Sequence, residues 1–243
     1  MPSLSTTALR LAVIEALAPT AMFAADDPAW PTLLGPRVLD CGSIPWDRST
    51  PVPGEILGAV YVDEVVGEPR GAAQSYDPQF LTVHLIVDLE IPIVDGSGAM
   101  TPAAGDADAT AKLEVAAAQI RRLLVTSPLL VPSLVRGYGR AETRWTRDPD
   151  LGVRLARLTL RLAIEIDDDD WGDMADGLPQ PAASVAAALP SDSYGAAILS
   201  AVAATLTTPD DPSPLTRIRF AFGPDAPAIF EEGEVQGAVT FQE

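Results

Sequence analysis

Two stretches of strict alternation constrain this chain more than anything else in it. From Phe80 to Ile91, Leu81, Val83, Leu85, Val87, Leu89 and Ile91 fall on one face, with Thr82, His84, Asp88 and Glu90 on the other. From about Val153 to Ile166, Ala156, Leu158, Leu160, Leu162, Ile164 and Ile166 alternate with Arg157, Thr159, Arg161 and Glu165. Successive strand side chains point to opposite sides, so a period of two over this length marks a sheet with one buried and one wetter face, the usual pattern of antiparallel pairing.

The segments around these strands supply the material that covers the apolar face. Leu9, Ala12, Val13, Ala16 and Leu17 recur at helical spacing, with Thr6 or Thr7 as N-cap and Pro19 as the stop. Residues 106–125 predict a longer helix with Leu113, Ala116, Ala117, Ile120 and Leu124 as its packing stripe. A third helix is expected near Tyr194–Leu206, packing through Ile198, Val202 and Leu206. Ala59–Val66 reads as a strand, Arg37–Asp40 as a brief one, and two further strands are expected at Arg217–Phe222 and Val235–Phe241. The order predicts an α+β fold over residues 1–243, a mainly antiparallel sheet with helices on one face. Pro-rich stretches at about 26–53 and 167–193 read as connectors or insertions, and about 223–243 as a C-terminal extension.

Charge narrows the function. Asp and Glu number 34 against 16 Lys and Arg, a formal net charge of −18, and Lys112 is the sole lysine. Nucleic-acid binding runs on clustered cations and counterion release, so DNA is not expected as a ligand. One histidine, His84, and one cysteine, Cys41, leave few routes to a nucleophile and base pair or a transition-metal site. No basic region precedes an apolar run at the N-terminus, and no uninterrupted apolar stretch reaches a membrane span of about 18–20 residues. A soluble intracellular protein without cofactor, metal or membrane partner is the expectation.

Several residues still invite chemistry. Asp167, Asp168, Asp169 and Asp170 offer the oxygen ligands that Ca²⁺ or Mg²⁺ prefer, and a metal-dependent hydrolase is the alternative they support. Yet consecutive strand residues point to alternate sides and no Gly- and Glu-bearing calcium loop surrounds them, so a solvated acidic turn indifferent to all four being changed to Asn is expected. Gly137-Tyr138-Gly139-Arg140 reads as a turn, since it lacks the Lys-Ser/Thr of a phosphate loop. His84 reads as a satisfied or solvent-facing side chain and Cys41 as a loop thiol. Arg136, Arg140, Arg144, Arg147, Arg154, Arg157 and Arg161 form a basic cluster in an acidic chain. Its physical reading is a patch that docks on the acidic surface of an identical neighbour, with Arg136, Arg140, Arg144 and Arg147 as interface residues. A nucleic-acid patch and a small-molecule or peptide binding module are the competing readings.

The opening helix Leu9–Leu17, the short strand in Gly35–Asp40, the strand Ala59–Asp63, the alternating strand Leu81–Ile91, the helix over 106–125 and the strand following Gly152 together resemble the tail terminator family of long-tailed phages, the lambda- and Mu-type proteins. The resemblance implies a non-enzymatic virion protein assembled in the host cytoplasm and located at the head–tail junction. It implies a homo-oligomer, a six-membered ring on the last ring of tail tube protein, which stops tube growth and presents a surface to the head–tail connector protein. DNA would only pass through the lumen. Another head–tail connector or tail-tube component is the alternative within the same class.

Overall fold

A computed structural model of the protein describes residues 3–40, 42, 55–68, 80–92, 104–130, 134–148 and 155–207. Five strands form one sheet: β1 (Val38–Asp40), β2 (Leu57–Glu68), β3 (Phe80–Pro92), β4 (Val135–Asp148) and β5 (Leu155–Asp167), in the order β1-β2-β3-β5-β4. β1 runs parallel to β2 and every other pairing is antiparallel. The expected α+β fold with helices on one face is the observed one. β3 and β5 are direct neighbours, with Leu85 opposite Leu162 and Val87 opposite Leu160. Their apolar faces therefore merge, and Val83, Leu85, Val87, Leu89, Leu160 and Ile166 are wholly buried.

Helix α3 (Ala104–Thr126) carries the chain from β3 across to β4 and leaves one strand width between them, which β5 fills. Its stripe of Leu113, Ala116, Ala117, Ile120 and Leu124 is buried as the spacing predicts. Helix α1 (Leu4–Leu17) packs beside α3 over β1 and β2. It is buried nearly all round, because α4 (Ala182–Ala188) and α5 (Tyr194–Thr207) cover its outer side. The stretch Leu4–Phe23 has the length and mean hydropathy of a membrane span. In the fold it is α1 and the short α2 (Thr20–Phe23), broken at Pro19, with α1 serving as a core helix.

Five expectations need correction. The N-cap of α1 is Ser3, whose Oγ accepts from the Ser5 amide at 3.2 Å, one turn before Thr6 or Thr7. Gly137-Tyr138-Gly139-Arg140 is no turn but lies within β4, where the register with β5 shifts between Tyr138 and Ala141. The region 167–193 is more than a connector: it holds a hairpin of β6 (Asp170–Ala175) and β7 (Leu178–Gln180), then α4, whose Ala182 and Val185 are fully buried. Likewise, the stretch from 26 to 40 is no peripheral insertion. It sends Leu34 into the core against Gly58, where an added Cβ would lie 3.0 Å from the leucine side chain. In α5, Leu199 takes the buried position and Leu206 is exposed. The expected strands at 217–222 and 235–241 lie outside the described residues, as do Cys41 and Arg154.

Asp169 joins the two ends of the core. Its Oδ2 accepts from the Leu4 amide at 2.8 Å, and its Oδ1 accepts from the Ser5 amide and the Ser5 hydroxyl, each at 2.7 Å. A carboxylate at a helix N-terminus satisfies donors with no intrahelical partner and meets the positive end of the dipole. Changing all four aspartates to Asn is therefore expected to carry a stability cost at this position. Asp169→Ala is expected to destabilise the protein by about 1.5–3 kcal/mol, and Asp169→Asn by less, as read by urea denaturation. Equal stability of both variants with the wild type would refute the cap.

Candidate assembly surfaces

The outward face of the sheet carries the polar positions of the alternating strands, and they are paired with one another. Asp88 accepts from the Tyr61 hydroxyl at 3.1 Å and from the Thr159 hydroxyl, while Arg157 pairs with the buried Glu90. Further along, Arg161 donates to Glu64 at 3.0 Å and reaches Asp63 at 3.7 Å. Arg161 Nη2 also lies 2.6 Å from His84 Nδ1, which is 3.0 Å from Glu64. These pairs follow from register, since Asp88 faces Thr159 and Glu90 faces Arg157 across β3 and β5. His84 is thus a partnered strand residue with a carboxylate and a guanidinium beside it.

Burial and the neighbouring Asp88 push the Tyr61 hydroxyl up to about 12 from its ordinary 10.0. The folded state favours the neutral phenol, so the stabilisation is complete below pH 10 and is lost as pH rises toward 12. Tyr61→Phe is expected to flatten that part of the stability profile relative to wild type, measured by denaturation at a series of alkaline pH values.

The acidic run does not converge. Asp167 pairs with Arg136 of β4 and Asp169 caps α1, while Asp168 accepts from the Asp169 amide at 2.8 Å and Asp170 from the Gly172 amide at 2.9 Å. Among the described residues no three His, Cys, Asp or Glu side chains are grouped to hold a metal ion. The hydrolase alternative therefore has no shared ligand point at these four residues.

The basic cluster divides as well. Arg157 and Arg161 belong to the middle of the outward face, whereas Arg136, Arg140 and Arg144 lie along β4 with Arg147, whose backbone alone is described. β4 ends the sheet: among the described residues it has a strand on one side only. Arg136, Arg140 and Arg144 are all exposed, Arg140 pairing with Glu142 at 2.9 Å. At the other end, β1 covers only Gly58–Val60 of β2, so residues 61–68 also have a described partner on one side only. Exposed Asp63 and Glu64 lie on that stretch. The sheet thus presents a basic edge and an acidic edge on opposite sides.

Between α3 and β4 runs a surface groove that sequence reading missed. The positions of β4 that line it are Tyr138, Ala141, Thr143 and Trp145, each opposite a core residue of β5. Ala141 and Thr143 are too small to fill the space beneath the helix, so the rings at either end stay about 40% exposed, 41% for Tyr138 and 39% for Trp145. Arg121 Nη2 donates to Thr143 Oγ1 at 2.6 Å and divides the groove into hollows of about 220 and 170 Å³. Tyr138 donates its hydroxyl to the Leu124 carbonyl and burial raises its pKa. Scanned against protein-family models the chain matches none, and no curated protein matches it.

Proposed function

We propose that this chain is a virion structural protein of a tailed phage or phage-like particle, a tail terminator whose identical copies close into a ring on the last ring of the tail tube and join it to the head connector. The observation that carries the reading is the pair of sheet edges with opposite charge, each without a further strand partner among the described residues. A head-to-tail interface brings two different patches of the same chain together at every junction and closes into a ring when the rotation permits. Here the β4 edge of one copy, with Arg140 and Arg144, would meet the β2 edge of the next, with Asp63 and Glu64. Backbone pairing supplies adhesion between two free edges, and charge fixes polarity, since like edges repel. The net charge of −18 suits a ring through which DNA slides without sticking.

Mixing two repelling variants tests the junction. Arg140→Glu with Arg144→Glu makes both edges acidic, and Asp63→Arg with Val66→Arg makes both basic. Each variant alone is expected to stay monomeric in mass photometry, and the equimolar mixture to form alternating rings. Added to polymerising tube protein from the same particle, the wild-type ring should fix tube length. Rings from either variant alone, or tubes that ignore the protein, would overturn the assignment.

A further inference from the structure

We propose that the groove between α3 and β4 is a docking site for the C-terminal segment 226–241 of the same chain, held as an extended peptide. The inference stands apart from ring formation, because the groove opens on the helix side of β4 and not at its edge. Two aromatic rings are exposed at the ends of one groove, and Val125 on the rim adds apolar surface to it at 52% exposure. The rim carries exposed Arg121 and Arg140, against Glu114.

The sequence after Thr207 holds a segment of matching chemistry. From Asp225 onward it carries Asp225, Glu231, Glu232, Glu234 and Glu243 and no basic residue. Ile229, Phe230, Val235, Val239 and Phe241 supply apolar side chains, and no proline follows Pro227, so an extended backbone is permitted throughout. Phenylalanine and valine suit hollows the size of one or two side chains, and the glutamates suit the arginine rim. The chain between Thr207 and the segment spans up to about 60 Å when extended, at roughly 3.3–3.6 Å per residue, more than the width of a domain this size. Tethering raises the local concentration of the segment to the millimolar range, which favours the chain's own tail over a neighbour's.

Photo-crosslinking from a benzoylphenylalanine placed at Ala118, in the full chain with a 1:1 mixture of ¹⁵N-labelled and unlabelled protein, tests the assignment. Crosslinks are expected to map to residues 226–241 and to join residues of one isotope only. Mixed-isotope crosslinks would assign the groove to a second copy, and crosslinks to any other region would refute the segment as occupant; either result overturns the proposal. Truncation after Asp225 separates docking from folding, since the truncated chain is expected to keep its far-UV spectrum while Trp145 becomes several-fold more accessible to acrylamide. That contribution is taken as the difference from Trp145→Phe. A synthetic peptide of residues 226–241 should restore protection, and about tenfold more should be needed with Arg121→Glu. No change in Trp145 on truncation, or no effect of the peptide, would overturn the proposal.

Discussion

Leu85→Asp and Leu160→Asp are each expected to leave no folded protein. Both leucines are fully buried where β3 and β5 face the helices. Removing a buried leucine costs about 2–5 kcal/mol, and placing a carboxylate there adds several more. The sum reaches the whole stability of a typical domain, about 5–15 kcal/mol. Insoluble expression, or a soluble product without dispersed amide resonances, is the expected readout. Thr82→Lys, on the wetter face of the same strand, is the tolerated control. Thr159→Lys, which alternation alone marks as equally tolerant, is not expected to behave so, because that hydroxyl donates to Asp88. A well-folded Leu160→Asp variant would mean the alternating face is not the core.

The second large effect lies on the outward face. Asp88 is only 5% exposed, and the hydroxyls of Tyr61 and Thr159 both donate to it. A hydrogen bond to a charged group contributes about 1.5–3 kcal/mol, and a buried acceptor that loses its donors also keeps its desolvation cost. Tyr61→Phe with Thr159→Val is therefore expected to destabilise by about 3–6 kcal/mol, seen as a lower urea midpoint with an unchanged slope. Adding Asp88→Leu should recover part of the loss, since removing both sides of a buried polar contact costs less than removing one. A double variant as stable as wild type would show that Asp88 draws on other partners.

Parts of this fold were legible because one physical signal dominated them. β3 and β5 each set an unbroken apolar face against the helices, and α3 keeps its stripe in register, so periodicity located all three. β4 escaped because it is an edge strand that α3 covers incompletely. Its groove-lining positions are Tyr138, Ala141, Thr143 and Trp145, and glycines and arginines between them mimic a turn and a surface patch. β6 is exposed throughout and carries no apolar alternation. The basic cluster was legible as an arginine-rich stretch in an acidic chain. Its division between the β4 edge and the middle of the sheet was not, because that depends on which strand each arginine joins. The groove depends on the small size of Ala141 and Thr143 beneath a helix that sequence alone does not place above them.

The covering of α1 by α4 and α5 also orders events during synthesis. α1 leaves the ribosome well ahead of its outer cover, α4 and α5, and of the carboxylate that closes its N-terminus, which lies 165 residues after Leu4. At about 5–20 residues per second, the apolar helix waits many seconds for them. During that interval it offers a nascent-chain chaperone an apolar stretch that disappears from view once α4 and α5 dock. Arrested chains ending shortly before and shortly after Thr207 has cleared the ribosomal tunnel should differ sharply in protease resistance of α1, which makes the arrival of α5 the step between a helix awaiting its cover and a closed core.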